Sequence, residues 1–315
     1  MTKVVRHRSL NAARPQPGRS ASARREERAG YLFISPWLIG TLVFLIGPIV
    51  ASLVISLTNW NLSGSPSYVG LDNYTDMVNN RNFWQSVRVT LLYVVLAVPL
   101  FQVVGLALAL LLNMRLRGMY LFRTILFLPS VLSGVAVAVL WLQLLNPDQG
   151  VVNQLLRAIG VADPPGWLQS PTWAVPAVVL MGLWGIGAGA IIYLAGLQNI
   201  PPFLYEAARI DGAGTWRSFR HITLPLLTPT LLFTLLIGII GAFQVFDIAY
   251  ILGGSRGGSR GSLLFYLLNI WNEGFRSGRL GYASALAWIL VVAAAVVIVL
   301  ILRTSDRWVH DESQP

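Results

Sequence analysis

The segment YEAARIDGAGTWRSFRHITLPLLTP, residues 205–229, is a polar stretch between two strongly apolar runs. A Pro-Pro pair lies just before it, and proline suits the first turn of a helix, where no backbone hydrogen bond is lost. Asp211 and Gly212 suit the end of that helix, because glycine readily adopts the left-handed conformation that terminates one. The sequence therefore predicts a short helix over residues 202–211 and a bend at Gly212.

Helical spacing gives this segment different faces. One face of the predicted helix is apolar and consists of Phe203, Ala207 and Ile210. A second face carries Glu206 and Arg209. Beyond the bend, apolar residues recur at helical spacing: Trp216, Phe219 and Ile222. The small side chains near the bend would let a partner approach, and a glutamate offers a charge to a basic partner. Two interpretations stay open, a surface helix lying under a membrane or a docking element for another protein.

The rest of the chain is apolar enough to indicate an integral membrane protein. Of its 315 residues, 55% are hydrophobic and 11% are charged, against about 25% charged residues in an average soluble domain. There is no cysteine, which excludes disulfides, thiolate metal sites and cysteine nucleophiles. The one lysine, Lys3, lies near the N terminus, which excludes a P-loop with its phosphate-binding lysine. We therefore expect no ATP hydrolysis on this chain.

Hydropathy predicts an all-α membrane protein with six transmembrane helices, because each apolar run reaches the roughly 20 residues that a helix needs to cross a bilayer. The spans are expected at about residues 31–57, 89–112, 120–145, 173–196, 230–252 and 282–302, within a transmembrane domain over 31–303. Residues 1–30 are expected to form a disordered basic tail, with an Arg-rich transit peptide as the alternative. Residues 304–315 would form a C-terminal tail.

Basic residues set the predicted orientation. With six spans, both termini share one side with the polar loop over residues 197–229, and this side carries 16 Lys and Arg residues against 7 opposite. The positive-inside rule then places both termini and that loop in the cytoplasm. Without residues 1–30 the counts are 8 against 7, so the orientation depends on the tail. Because this distribution accounts for the net charge of +10, no nucleic-acid partner is expected.

Two predicted outer loops carry short amphipathic patterns with Trp84 and Trp167. Such patterns are typical of helices at a membrane interface. Anchoring to lipid headgroups and docking to a partner protein are both compatible with them.

The fifth predicted span contains the one acidic residue inside a span, Asp247. An ionisable residue within a membrane is costly and is therefore a functional candidate. On a continuous helix it would share a face with Phe243, Gln244 and Tyr250, and aromatic and hydrogen-bonding groups together suit a sugar ring. Trp184, in the Gly-rich fourth span, is a further candidate for the substrate pathway. The alternative for all of them is ordinary helix packing.

The stretch GGSRGGSRGS, residues 253–262, follows the fifth span and places Arg256 and Arg260 at the predicted outer mouth. The two arginines could attract an anionic solute or an acidic docking surface. They could equally belong to a flexible, solvated loop, and this second outcome is the one we expect.

The spacing around Glu206 resembles that of a known family. The pattern E-A-A, three residues, G, nine residues, I-x-L-P is met by Glu206, Ala207, Ala208, Gly212, Ile222, Leu224 and Pro225. It resembles the EAA loop of bacterial binding-protein-dependent ABC importer permeases. The stretches YVGLDNYTDMVNNRNFWQSVRVTLLY and FRTILFLPSVLSGVAVAVLW resemble the carbohydrate-uptake members, found with maltose, other oligosaccharides and glycerol 3-phosphate. The resemblance covers about residues 31–303 and departs at residues 253–262, where those permeases usually carry a T-x-G-G-P-like turn.

This resemblance implies a type I ABC importer permease in a bacterial cell membrane, forming half of the pathway for a sugar. In that family the EAA segment is a coupling helix that sits in a groove of the ATPase subunit. On this chain the ATPase contacts would be Glu206, Ala207, Ala208, Asp211, Gly212 and Ala213. The implied partners are a second permease subunit in a heterodimer, two ATP-binding cassette subunits that hold ATP and Mg, and an extracytoplasmic substrate-binding protein. No cofactor is expected on this chain itself.

Three rival functions make different predictions. A polyol, glycerol 3-phosphate or another phosphorylated solute shares the architecture, but a phosphate site calls for arginines within the spans, and Arg123 lies at a span end where it can snorkel. Neutral sugars are therefore favoured. A stand-alone secondary transporter predicts paired ionisable residues or an internal repeat, and neither is visible. A membrane-embedded enzyme would need a base or metal ligand within the spans, whereas His7, His221 and His310 lie outside them.

Overall fold

The computed structural model describes residues 21–114 and 118–309. All regular secondary structure in this part of the chain is helical, with one isolated bridge between Thr58 and Tyr68. The predicted all-α class is therefore confirmed for the described residues.

In chain order, the α-helices of the described residues are α1 (Ala21–Gly40), α2 (Gly47–Ser56), α3 (Asp72–Asn79), α4 (Arg81–Leu112), α5 (Met119–Val131), α6 (Gly134–Leu144), α7 (Val151–Ala158), α8 (Ala174–Trp184), α9 (Gly187–Gln198), α10 (Pro202–Ile210), α11 (Thr215–Ser218), α12 (Leu224–Leu226), α13 (Thr228–Phe243), α14 (Asp247–Gly253), α15 (Tyr266–Trp271) and α16 (Leu280–Ser305). Short π-helical segments occur at Thr41–Ile46, Phe219–Thr223 and Asn272–Arg276, and a 3-10 turn at Ser259–Gly261.

The described residues up to Ser52 belong to one compact unit, and those from Leu53 form a second. Helix α1 begins at Ala21, before the predicted first span, so residues 21–30 are helical and the expected disordered tail is wrong for them. The stretch ASARREERAG is rich in Ala, Arg and Glu, which favour helix because they lose little conformational freedom in it. Residues 1–20, and the end of the predicted C-terminal tail from residue 310, lie outside the described part.

Three helical runs are long and apolar enough to cross a membrane: Glu26–Ser56, Arg81–Leu112 and Leu280–Ser305. Three further pairs meet the same test only when their two helices are taken together, namely α5 with α6, α8 with α9, and Thr215–Leu226 with α13. Their bends are 97°, 52° and 63°, respectively. By length and composition the described residues thus supply three spans, or up to six if each bent pair is one span.

The sharpest bend has a local cause. Pro129 lies in the last turn of α5, and the next two residues after the helix, Leu132 and Ser133, have extended ψ angles of 143° and 136°. The two extended residues interrupt the helix, and Pro129, which has no backbone N–H to donate, weakens its last turn. The predicted third span is therefore two helices and not one straight rod.

Helix α4 is the centre of the second unit and packs against α8, α9 and α13. One buried apolar cluster joins its middle to α8, α13 and α14. A second joins its C-terminal end to α9 and α10, and a third joins its N-terminal end to α3, α15 and α16. With 32 residues and a rise of about 1.5 Å per residue, α4 is about 48 Å long, and it connects the two ends of the unit.

The short helices expected in the two outer loops are present as α3 and α7. Asn153 on α7 is fully buried. Its Nδ2 donates to the carbonyl oxygens of Pro147 at 3.1 Å and Pro165 at 3.3 Å, and its Oδ1 accepts from Nε1 of Trp167 at 2.7 Å. Since a buried amide is costly unless its hydrogen bonds are made, Asn153 stabilises the loop by joining Pro147, Pro165 and Trp167.

Candidate functional site

Helix α10 and the bend after it have the predicted geometry. The helix has a proline in its first turn. At its end the backbone N–H of Ala213 donates to the carbonyl of Ala208 at 2.8 Å, and that of Gly212 donates to the carbonyl of Arg209 at 3.1 Å. These two bonds define a Schellman cap. Gly212 has a φ of +75°, which is strained for any residue with a Cβ. The predicted helix and bend are confirmed.

One face of α10 packs against the rest of the protein. Leu204 and Tyr205 contact the apolar cluster that includes Leu112 at the end of α4. The hydroxyls of Tyr205 and Thr223 lie 2.9 Å apart and form a hydrogen bond. The helix is thereby fixed against the C-terminal end of α4, about one α4 length from the N-terminal end of that helix.

The opposite face of α10 is exposed. Ile210 is 87% exposed, and Phe203 is also mostly exposed. Glu206 and Ala207 are exposed beside them, and among the described residues the Glu206 carboxylate makes no ion pair. An exposed apolar surface next to an uncompensated carboxylate is typical of a protein contact.

An apolar groove of about 1020 Å³ lies between α10 and the end of α4, and its α10 residues are Tyr205 and Arg209. The end of α4 and the residues after the bend line it, among them Leu110, Met114, Ala213, Trp216 and Phe219. The rings of Trp216 and Phe219 stack with centroids 5.5 Å apart, and Trp216 is 71% exposed. Of the three apolar residues predicted at helical spacing after Gly212, Trp216 and Phe219 line this groove, whereas Ile222 packs against the cluster that includes Leu112.

The predicted fifth span is broken where the pathway residues lie. Helix α13 ends at Phe243 and α14 begins at Asp247, so the expected continuous strip from Phe243 to Tyr250 is wrong. Asp247 occupies the first turn of α14, where the helix dipole favours a negative charge. An acidic residue at this position therefore favours the start of a new helix after the break.

The break separates the four side chains by environment. Phe243 is 7% exposed and belongs to the buried cluster around α4 and α8. Gln244, Asp247 and Tyr250 are exposed in the chain on its own. The polar members of the predicted set therefore lie at the surface of this chain, while Phe243 serves helix packing.

Tyr250 lies in an aromatic cluster that was not predicted from the sequence. The Tyr250 ring stacks on Phe246 with centroids 5.9 Å apart and meets Trp271 edge-on at 5.0 Å. Trp271 in turn stacks on Phe275 at 6.4 Å. Because Trp271 is distant in sequence and follows a loop, only tertiary structure brings it to the predicted residue.

Trp184 ends α8 at the 52° bend and is partly exposed. Its ring meets that of Trp141 on α6 edge-on, with centroids 6.3 Å apart, and Nε1 of Trp141 is buried without a hydrogen-bond partner among the described residues. Of the glycines nearby, Gly187 is required for packing, because a Cβ there would lie 1.9 Å from the carbonyl oxygen of Leu126. Close helix packing thus accounts for that glycine.

A polar network within the predicted spans joins three helices. The Tyr193 hydroxyl on α9 donates to Oε1 of Gln102 on α4. The Thr234 hydroxyl on α13 donates to the Tyr193 oxygen at 2.7 Å, and Nε2 of Gln102 donates to the carbonyl of Leu231 at 3.2 Å. These residues line a cavity of about 400 Å³ near the α8–α9 bend. Gln102, an amide inside an apolar run, was the signal in the sequence that could have revealed this network.

In the described part of the chain, no three His, Cys, Asp or Glu side chains form a group able to hold a metal ion. His221 lies in the polar segment after Gly212, where its Nδ1 is 3.0 Å from the carbonyl oxygen of Arg217.

Comparison with known proteins identifies the class of protein that this helix arrangement defines. Residues 80–310 match the family model described as "Binding-protein-dependent transport system inner membrane component". The chain belongs to this family: it is a multi-pass permease of the bacterial plasma membrane that serves an importer.

Individual relatives are similar to this chain over nearly its whole length. The chain is 40% identical over 298 residues to the probable ABC transporter permease protein YesP of Bacillus subtilis, covering 94% of this chain and 96% of the relative. It is 38% identical over 283 residues to the lactose transport system permease protein LacF of Rhizobium radiobacter, covering 89% and 94%. Its fold is similar to that of a chain in the crystal structure of a bacterial alginate ABC transporter in complex with an alginate pentasaccharide-bound periplasmic protein. The TM-score is 0.81 at 26% identity, with 92% and 98% covered.

Proposed function

We propose that this chain is the permease subunit of an ATP-driven saccharide importer and forms half of the translocation pathway. The exposed face of α10 is the observation that carries the proposal, because it presents Glu206 together with an apolar patch. Relatives named for lactose and alginate transport support a saccharide as the cargo.

The coupling contact would be made by the α10 face and its cap: Glu206, Ala207, Ala208, Asp211, Gly212 and Ala213. An ATPase subunit with a basic side chain opposite Glu206 would gain a charge-assisted hydrogen bond. Because this chain has no P-loop lysine, ATP and Mg would bind on two such cassette subunits. Their closure would push α10, and the packing of Tyr205 against the α4 end, together with its hydrogen bond to Thr223, would transmit the movement to the spans.

A second permease subunit would complete the pathway as a heterodimer, and an extracytoplasmic binding protein would deliver the solute. Gln244, Asp247, Tyr250 and Trp184 are exposed in the isolated chain and would face that shared pathway. Aromatic faces such as those of Tyr250 and Trp184 can stack on a sugar ring, and the amide and carboxylate can bond its hydroxyls. Alternating access would then be a rigid-body rearrangement around these residues.

The positive-inside rule supports an orientation with both termini and α10 in the cytoplasm. The 16 to 7 distribution of Lys and Arg favours it. The N-terminal end of α4 would then lie on the outer side, because α10 packs against the C-terminal end of the same long helix.

The experiment is ATP-dependent uptake of labelled saccharides into membrane vesicles that contain the complete importer. Glu206→Arg reverses the charge on an exposed residue that makes no ion pair with any described residue, so it should abolish uptake and leave membrane insertion intact. Glu206→Gln, which keeps the size of the side chain, should retain part of the activity. Normal uptake by the Glu206→Arg importer would overturn the coupling role of α10.

A further inference from the structure

A second cavity, of about 640 Å³, lies at the N-terminal end of α4. Arg81, Asn82 and Gln85 of the first helical turns line it, together with the loop before α15 and the π-helical segment Asn272–Arg276. The coupling groove lies at the other end of α4, about 48 Å away along a helix of this length. The two cavities thus lie at opposite ends of α4, and this one would face the exterior in the proposed orientation.

Four arginines line this outer cavity: Arg81, Arg256, Arg260 and Arg276. Its one acidic lining residue, Glu273, is buried and already bound by Arg279, whose Nε donates to Oε2 at 2.9 Å. In residues 26–114 and 118–309, no carboxylate lies within ion-pair distance of the four lining arginines. The cavity therefore carries an uncompensated positive charge.

Buried amides in the cavity lack partners as well. Asn269 is only 2% exposed, yet its Nδ2 has no hydrogen-bond partner among the described residues. Oδ1 of Asn272 is likewise buried and unpaired, while its Nδ2 donates to the carbonyl of Ser255 at 2.7 Å. A buried polar atom without a partner is costly and uncommon in native proteins. Both residues line the cavity, so its wall contains two unsatisfied polar atoms.

The arginine-bearing loop, which the sequence predicts to be flexible and solvated, has both arginines exposed and makes several hydrogen bonds. The N–H of Leu263 donates to the carbonyl of Gly257 at 2.7 Å, and Nε2 of Gln85 donates to the carbonyl of Gly261 at 3.1 Å. Gly257 has a φ of +69°, and a Cβ there would lie 2.5 Å from the backbone N of Leu264. Arg260 itself has a φ of +53°, a strained conformation of the kind that clusters at ligand sites.

We propose that this outer cavity binds an acidic saccharide, that is, a sugar that carries a carboxylate. Arginines bind carboxylates through paired, charge-assisted hydrogen bonds, and the amides of Asn82, Asn269 and Asn272 can bond ring hydroxyls. A volume of about 640 Å³ lies within the roughly 300–1,000 Å³ range of small-molecule sites and is far larger than one acidic side chain of a docked protein needs. This inference rests on the proposed saccharide import and deepens it, because it replaces the neutral sugar expected from the sequence with a charged one.

The test measures binding of digalacturonate to the full chain within the complete importer in lipid nanodiscs. The comparison ligand is the same disaccharide with both carboxylates reduced to hydroxymethyl groups. The wild type should bind the acid at least about tenfold more tightly, and this preference should fall as salt rises, because exposed arginines are screened. Arg256→Gln combined with Arg260→Gln should remove the preference.

Arg88→Gln is the matched control, since Arg88 is an exposed arginine of α4 that does not line the cavity, and it should keep the preference. Equal affinity for the two disaccharides at millimolar concentration, or no binding of either, would overturn the proposal. So would an acid preference that survives in the double variant, or displacement of digalacturonate by a glutamate-rich peptide that binds more tightly, which would identify a protein-docking site. ATP-dependent uptake of neutral saccharides without any acid preference would refute the acidic-ligand site alone, whereas absence of all saccharide uptake would refute the proposed function.

Discussion

Replacing Gly212 by alanine tests whether the bend after α10 is part of the coupling element. The φ of +75° places this residue in the left-handed region, which costs a residue with a Cβ about 1–2 kcal/mol. A Cβ built there meets nothing within 4 Å, so the backbone conformation is the whole cost. By the relation of 1.4 kcal/mol to a tenfold change, the bent form should become about 5- to 30-fold less favoured.

The assay is the affinity of the importer's ATPase subunit for the permease in nanodiscs, with stimulation of ATP hydrolysis measured in parallel. Since only the bent form presents α10 and its cap together, Gly212→Ala should weaken ATPase binding by up to that factor. Gly212→Asn is the control at the same position, because asparagine enters the left-handed region more readily than alanine, and it should lose much less affinity. An alanine variant that binds and stimulates like the wild type would refute the role of the bend.

Three further predictions concern the spans and the outer loop. Tyr193→Phe removes two interhelical hydrogen bonds, each worth about 0.6–1.7 kcal/mol in a membrane. It should therefore lower the melting temperature of the detergent-solubilised protein by a few degrees. The control Tyr120→Phe, at an exposed tyrosine, should leave the melting temperature unchanged. Asn153→Ala removes three hydrogen bonds of a fully buried amide and should destabilise the loop by about 2–3 kcal/mol. Hydrogen exchange in residues 146–167 should therefore accelerate at least about tenfold. Unchanged exchange there would contradict the role assigned to Asn153. Asp247→Asn should slow uptake while ATPase assembly stays intact. If the variant instead has a lower melting temperature and normal uptake, Asp247 stabilises the start of α14 and does not contact the solute.

The coupling segment was predictable because its determinants are local. A proline at the start of α10, an Asp-Gly pair at its end and a glutamate at a fixed spacing are all visible within a few residues. The long apolar runs were visible for the same reason, since α4 and α16 need only continuous hydropathy.

Breaks within apolar runs were harder to predict. Hydropathy treats residues 230–252 as one span, and only the helix start at Asp247 reveals that α13 and α14 are separate. Contacts between residues that are distant in sequence could not be predicted either. The approach of Trp271 to Tyr250 and the collection of four arginines around one outer cavity depend on how the loops fold back, which no local pattern specifies.

Purification of the tagged chain from its native membranes, followed by identification of the proteins that accompany it, tests the central claim most directly. The account predicts a P-loop ATPase and a second permease in stoichiometric amounts with the wild type, and loss of the ATPase but not of the second permease with Glu206→Arg. A wild-type chain that purifies without an ATPase and moves solute independently of ATP would contradict the account.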